Sequence, residues 1–189
     1  MLSPMKVEYR EATQRDVEAI ARLHADSWRR NYRGSYSDAY LDGDVGADRL
    51  AVWTDRFASP SGRDDQITIV AARDAVIVGF AHTILHHNRE LGALLDNLHV
   101  AHDLKGHGIG TQLVVETARA VIERTPSSSL YLWVLERNTA AQAFYRALGG
   151  TFAGQETSEA PGGGAVLGLR VVWRDPSRLA RLDRTIKGF

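Results

Sequence analysis

Three glycines at alternate positions stand in the middle of the chain, in the segment Lys105-Gly106-His107-Gly108-Ile109-Gly110, shortly after an apolar run that ends at Val100. An apolar stripe at helical spacing begins at Ile109. The first N–H groups of a helix have no partners within it, its dipole favours an anion there, and glycine lets a phosphate approach the backbone. The spacing therefore predicts a phosphate or pyrophosphate cradle, although a plain tight turn would use the same residues.

Two common phosphate motifs do not fit this segment. A P-loop carries a lysine and then serine or threonine after its second glycine, whereas Lys105 precedes the glycines and Thr111 follows Gly110 directly. The dinucleotide fingerprint is G-x-G-x-x-G after the first strand of a parallel β-α-β unit, but here G-x-G-x-G follows three segments that read as antiparallel strands. Nucleotide hydrolysis and nicotinamide chemistry are therefore disfavoured.

Two ordered motifs resemble those of the GNAT acyl-CoA N-acyltransferases. The run from Leu98 to Thr111 is similar to the signature R/Q-x-x-G-x-G/A, with Lys105 in place of arginine or glutamine, which keeps a positive charge in a different geometry. The stretch from Asn138 to Gly149 is similar to the helix N-x-x-A-x-x-F-Y-x-x-x-G. The stretch from Ala25 to Tyr32 is similar to S-W-x-x-x-Y, found in many bacterial members. The resemblance covers roughly residues 6 to 173, the usual extent of one such domain.

The resemblance implies a site for acetyl-CoA as co-substrate. The strand ending at Val100 would splay from the strand that begins near Leu130, so that pantetheine pairs with exposed backbone in the gap. Backbone amides of the glycine turn would bind the pyrophosphate with Lys105 nearby, and Asn138 would touch the pantetheine arm. The cofactor-binding residues implied in this way are Leu98, His99, Val100, Lys105, Gly106, His107, Gly108, Ile109, Gly110, Thr111, Asn138 and Tyr145.

Two proton transfers are needed in such a reaction. Tyr145 is the candidate general acid for the departing thiolate, because a phenol within hydrogen-bond reach can supply the proton; alternatively it only packs or bonds the sulfur. For the general base we favour Asp96 over His99, both on the strand that enters the site. Strand alternation places these two on opposite faces unless a bulge intervenes, and a solvated or backbone-bonded Asp96 is the alternative.

The resemblance also implies an acceptor pocket built from the first helix and the loop after it. That region carries aromatic and acidic residues, namely Trp28, Tyr32, Tyr36, Tyr40, Asp26 and Asp38. Aromatic faces and carboxylates suit a cationic amine. Trp28, Tyr32 and Tyr36 are therefore predicted to bind the acceptor, with simple core packing as the alternative.

Composition excludes several classes of protein. The 23 basic and 23 acidic residues cancel, which disfavours nucleic-acid and anionic-membrane partners. No cysteine is present, so an acyl-cysteine intermediate is excluded. His82 and His86 would lie ~13 Å apart on a strand, too far to share an ion, and we predict no metal. No apolar run approaches ~20 residues and charges interrupt the N-terminal segment, so we expect a cytoplasmic protein.

Hydrophobic periodicity supplies the elements that must hold these residues. Their order is β-α-(α)-βββ-α-β-α-ββ. We predict an α/β (α+β) GNAT acyl-CoA N-acyltransferase fold, a mixed, mostly antiparallel sheet of about seven strands with helices on both faces. Residues 1–175 are expected to form one N-acetyltransferase domain, followed by a basic C-terminal tail over 176–189. Residues 31–57 have no clean periodicity, and only Asp48 to Phe57 has a helical pattern there, with Leu50, Trp53 and Phe57 on one side.

The predicted activity is direct transfer of an acetyl group from acetyl-CoA to a primary amine in a ternary complex, with a small-molecule acceptor. Two alternatives stay open: a protein or peptide N-acetyltransferase, and a non-catalytic acyl-CoA-binding sensor. The resemblance is compatible with a homodimer that pairs through the C-terminal strands, but the sequence itself does not specify the oligomeric state.

Overall fold

The computed structural model describes residues 6–58, 62–126 and 128–182. The strands of these residues are β1 Glu8–Glu11, β2 Gln66–Arg73, β3 Val76–Asn88, β4 Gly92–Val100, β5 Leu130–Leu135, β6 Thr151–Glu159 and β7 Ala165–Trp173. The α-helices are α1 Val17–Asn31, α2 Asp38–Asp42, α3 Val45–Ala58, α4 Gly62–Asp65, α5 Ile109–Arg124, α6 Thr139–Ala147 and α7 Ser177–Ala180. Short 3-10 turns precede α1 at Gln14–Asp16 and follow β4 at His102–Leu104.

All strands lie in one sheet with the order β1-β2-β3-β4-β5-β7-β6. Each neighbouring pair is antiparallel except β4 and β5, which are parallel. Short turns join β2 to β3 and β3 to β4, whereas the crossover through α5 returns the chain in the parallel direction. The predicted mixed, mostly antiparallel sheet is confirmed.

Helices cover both faces of the sheet because the strand residues alternate. Ile69 and Ala81 belong to a core cluster with Leu113 of α5 on one face. Val70 and Phe80, one position away on the same strands, belong to a cluster with α1 and α3 on the other face. The glycine turn at the start of α5 is thereby fixed relative to β4, and α1 is held above the same strand on the opposite side.

The region after α1 is more helical than the sequence suggests. Ser37 caps the short helix α2, its hydroxyl accepting from the amide of Tyr40 at 3.3 Å, and α3 begins three residues before the predicted Asp48. The side of α3 that faces the core also differs from the predicted one: Trp53 is fully buried, but Leu50 is 42 % exposed. The side of α3 that carries Trp53 faces the core, because the indole Nε1 donates to His24 of α1 at 3.0 Å and fixes the rotation of the helix.

The described part of the predicted C-terminal tail packs on the domain. α7 lies against α5, Leu179 is fully buried, and Leu182 packs against the main core cluster. Apolar residues therefore tie residues 177–182 to the sheet despite the basic composition of the segment. The rest of the predicted tail, residues 183–189, lies outside the described residues, as do residues 1–5 of the predicted domain.

Candidate active site

A cleft opens where β4 and β5 separate. The two strands pair only at Ala93 opposite Leu130 and Leu94 opposite Tyr131. From Leu95 onward the β5-facing edge of β4 has no strand partner in the described part of the chain. The resulting cleft has a volume of about 930 Å³ and runs from the glycine turn to the aromatic residues of α1. The splayed strands expected from the sequence are therefore present.

The glycine turn forms one end of the cleft. Gly106 and Gly108 have φ angles of 82° and 80°, which glycine adopts without strain. A Cβ built on either one would meet nothing within 4 Å, so the backbone is open to an approaching group. Gly108 is the N-cap of α5 and provides no side-chain cap, and the first helical bond runs from Gln112 N to Gly108 O at 3.0 Å. The amides from Ile109 to Thr111 are thus available to an anion, and the turn fits a pyrophosphate.

A chain of hydrogen bonds joins this turn to the centre of the cleft. Lys105 Nζ donates to Asn31 Oδ1 at 3.0 Å, Asn31 Nδ2 donates to Ser27 Oγ at 3.1 Å, and Ser27 Oγ hydrogen-bonds His99 Nδ1 at 2.7 Å. Burial lowers the pKa of His99 to about 3, helped by the charges of Lys105 and Arg49. The His99 imidazole is therefore neutral at pH 7 and a weak base.

Asp96 is the extra residue of a bulge in β4. His82 of β3 pairs with Asn97 and Thr83 pairs with Leu95, which leaves Asp96 between them. The bulge supplies the irregularity needed for both Asp96 and His99 to line the cleft. Arg56 of α3 fixes this geometry, because its Nη2 donates to Asp96 Oδ2 at 2.7 Å and its Nη1 to Asn97 Oδ1 at 2.8 Å.

Helix α6 brings two predicted residues to the cleft. Asn138 caps the helix, with Oδ1 accepting from the amide of Ala141 at 3.2 Å, so its Nδ2 can still donate to a ligand. Tyr145 packs against Phe144 and Trp173, with ring centroids 5.2 and 6.0 Å apart. Burial raises the pKa of Tyr145 well above its ordinary value. The phenol therefore stays protonated across the physiological range.

Three aromatic rings of α1 and the following loop form the other end of the cleft. The Trp28 centroid lies 5.6 Å from that of Tyr32 and 5.0 Å from that of Tyr36, and the two tyrosine rings are 4.9 Å apart. Burial raises the pKa of Tyr36 to about 12 despite the charge of Arg49. Burial also raises the pKa of Tyr32, with contributions from Tyr36, Tyr145 and Asp96. The hydroxyls near Asp96 are therefore neutral.

The expected acidic lining of this pocket is wrong in part. Asp26 pairs with Arg30 and Asp38 pairs with Arg33, each at 2.9 Å, and neither carboxylate lines the cleft. Tyr40 also points elsewhere and donates its hydroxyl to a carboxylate of α3. Arg30, four residues after Asp26, lies on the outer side of α1. Residues at this spacing share one helix face, so the Asp26 carboxylate also points away from Trp28.

Most of the residues predicted for the site do meet in one place. Those that line the cleft are Trp28, Tyr32, Tyr36, Asp96, Leu98, His99, Val100, Lys105, Gly106, Gly108, Gly110, Thr111, Asn138 and Tyr145. His107 and Ile109 do not: the first side chain is exposed and the second is buried in the core.

The lining residues that were not predicted include four polar ones of α1 and α3, namely Ser27, Asn31, Arg49 and Arg56. The spacing of seven residues between Arg49 and Arg56, two helical turns, would have placed both arginines on one face of α3.

A mixed sheet that splits beside an uncapped, glycine-lined helix is the architecture expected for an acyl-CoA N-acyltransferase. The sequence profile of the acetyltransferase (GNAT) family matches residues 17–149. The chain belongs to this family, and its class is that of the acyl-CoA N-acyltransferases. It is 27 % identical over 147 residues to a protein of Mycobacterium tuberculosis named probable N-acetyltransferase Rv2775, covering 76 % of this chain and 79 % of that protein.

Solved structures share the fold at low identity. A PaiA N-acetyltransferase from Thermoplasma acidophilum in complex with coenzyme A superposes with a TM-score of 0.69 at 19 % identity, covering 89 % of this chain and 100 % of that chain. A ribosomal-protein-alanine N-acetyltransferase from Brucella melitensis gives 0.64 at 22 % identity, covering 88 % and 98 %. The name of the Brucella protein indicates a protein acceptor, so the fold alone does not distinguish small amines from proteins as acceptors.

The described residues hold neither a candidate metal cluster nor a candidate membrane-spanning helix. Within them, no group of three or more histidine, aspartate or glutamate side chains is arranged to hold a metal ion. No described helix combines the length and the apolar character required to cross a membrane.

Proposed function

We propose that this protein transfers the acetyl group of acetyl-CoA to the primary amine of a small molecule by direct attack, with both substrates bound at once. The observation that carries the proposal is the uncapped start of α5, where Gly106 and Gly108 expose their backbone, next to the unpaired edge of β4. The free amides at the start of the helix suit a pyrophosphate, and the unpaired strand edge suits an extended arm that carries amide groups. The coenzyme A named in the Thermoplasma structure supports the same donor.

Acetyl-CoA would supply the activated acetyl group. The amides from Gly108 to Thr111 would hold its pyrophosphate, and Lys105 would add a positive charge from the mouth of the turn. Asn138 Nδ2 would donate to the pantetheine arm, while the free edge of β4 from Leu98 to Val100 would offer backbone hydrogen bonds. Holding both reactants in one cleft removes much of the entropic barrier to amine attack.

Asp96 and Tyr145 are assigned the two proton transfers. The carboxylate of Asp96 keeps Oδ1 free of protein partners among the described residues, so it can take a proton from the acceptor ammonium directly or through water. His99 is the weaker candidate because its pKa is about 3 and its Nδ1 is bonded to Ser27. Tyr145 has a protonated phenol on the opposite wall, as a general acid requires.

The test is release of coenzyme A and formation of N-acetyl product over a panel of amines and peptides with free N-termini, followed by thiol titration and mass spectrometry. We expect acetyl transfer to small amines and none to the peptides. Tight binding of acetyl-CoA without transfer to any acceptor would instead identify an acyl-CoA sensor. Transfer to the peptides alone would identify a protein-modifying enzyme.

A further inference from the structure

Arg49 is a largely buried cation on the wall of the acceptor end of the cleft. Its side chain is only 12 % exposed, and its guanidinium carbon lies 4.2 Å from the centroid of the Trp28 ring. Its Nη2 donates to Asp48 Oδ2 at 2.9 Å, an oxygen that also accepts from Tyr40. The charge is therefore held rigidly beside one of the aromatic rings that line the pocket.

The hydrogen-bonding capacity of Arg49 is mostly unused. A guanidinium has five N–H donors, yet among the described residues Arg49 reaches only Asp48, at 2.9 Å, and the hydroxyl of Tyr40. Its Nε is enclosed and has no partner there. Arg56, two turns along the same helix, has its two terminal nitrogens bonded to Asp96 and Asn97. Leaving donors of a buried charge unmatched is costly, so Arg49 is the arginine that can receive an anion.

The charges around Arg49 favour an anion over a second cation. Asp96, a lining residue of the cleft, is paired with Arg56. The other carboxylates that line the cleft, Glu156 and Glu159, are exposed side chains of β6. Arg49 and Arg56 thus stand on the α3 wall with their carboxylates already paired, which leaves no unpaired acid of that wall for a polyamine among the described lining residues.

We propose that the acceptor is an amino-acid-like molecule whose amine is acetylated and whose carboxylate is bound by Arg49 beside Trp28 and Tyr36. The planar fork of Arg49 matches a carboxylate, and the aromatic rings exclude water from the pair. The amine end of the same molecule is left to face Asp96 and His99. This inference rests on the proposed acetyl transfer and narrows its acceptor.

The experiment compares each acceptor with a twin that lacks the negative charge. The standard amino acids, β-alanine and γ-aminobutyrate are tested beside their carboxamides, both for acetyl transfer and for binding by calorimetry in the presence of coenzyme A. We expect at least one acid to exceed its amide by about tenfold or more in kcat/KM and in affinity, as a charge-assisted hydrogen bond provides.

Arg49→Gln is the decisive variant. It should lower kcat/KM and affinity for that acid by about tenfold more than for its amide, because only the carboxylate uses the guanidinium. Arg49→Lys keeps a charge without the fork and should retain an intermediate preference, which also covers the case in which Arg49→Gln folds poorly. Arg30→Gln, an exposed arginine of α1 outside the cleft, is the matched control and should keep the full preference.

The outcomes separate the two proposals. Equal use of every acid and amide, a preference for cationic amines, or an Arg49→Gln enzyme that loses acid and amide equally would overturn the carboxylate site. Absence of acetyl transfer to every compound would overturn the proposed function. In that case, calorimetric binding of an acid in preference to its amide, lost in Arg49→Gln, would still support the site.

Discussion

Asp96 and Tyr145 face the cleft from opposite walls and are assigned opposite proton transfers, so the two roles can be tested one at a time. Tyr145→Phe keeps the packing on Trp173 but removes the proton donor, so kcat should fall by about 100-fold or more with little change in the KM for acetyl-CoA. Asp96→Asn keeps an acceptor for Arg56 but removes the proposed base, so kcat should also fall by about 100-fold or more with little change in the KM for acetyl-CoA. Steady-state kinetics across pH measures both.

Each of these substitutions controls for the other, since both conserve shape. Wild-type turnover in Tyr145→Phe would remove the phenol from the mechanism. An unchanged kcat in Asp96→Asn would show that another group accepts the amine proton.

Helix α5 and its glycine turn allow a matched test of the phosphate cradle. Gly108 and Gly149 have φ angles of 80° and 79° and open space around a Cβ, but Gly149 lies after α6, outside the cleft. Replacing either one by alanine should cost about 1 kcal/mol of stability, because both are left-handed. Only Gly108→Ala should also weaken acetyl-CoA binding, by about tenfold, since the methyl group would occupy the space over the amides.

Thermal unfolding and calorimetric titration with acetyl-CoA measure the two effects separately. Equal affinity in both variants would contradict a pyrophosphate site at α5. A loss of affinity in Gly149→Ala as large as in Gly108→Ala would mean that the effect comes from destabilisation.

The domain as a whole buries three histidines, and this should make its stability depend on pH. Burial lowers the pKa of His82 and His99 to about 3 and also lowers that of His24. In the unfolded chain these three histidines take up protons below a pKa of about 6.5, whereas in the folded chain they stay neutral to a much lower pH. The free energy of unfolding should therefore fall as the pH drops from about 6.5 towards 3, by at most about 1.4 kcal/mol per pH unit for each histidine.

Urea unfolding midpoints measured between about pH 7 and pH 5 test this dependence. His82→Gln should have a shallower dependence than the wild type, while His86→Gln, at an exposed position of β3, should keep the wild-type slope. A midpoint that does not change with pH in the wild type would contradict the buried neutral histidines.

Local patterns in the sequence predicted most of the elements but not how α3 faces the core. The alternation of β2 and β3, the glycines before α5 and the capping Asn138 are each specified by nearby residues. The inward side of α3 is set by contacts with distant residues, as Trp53 shows by bonding His24. Arg49 and Arg56 came to the cleft through that same rotation, so a helical pattern read alone could not assign them to the site.

The sequence by itself determined the family and predicted the proposed donor end, because a backbone cradle needs only glycines and a helix start placed in the right order. The tertiary structure decided the rest. A bulge, invisible in the residue pattern, brought Asp96 to the cleft beside His99, and packing of α3 on α1 replaced the expected acids with Arg49. Side chains that recognise an acceptor come from separate elements, and their charges meet only after those elements pack.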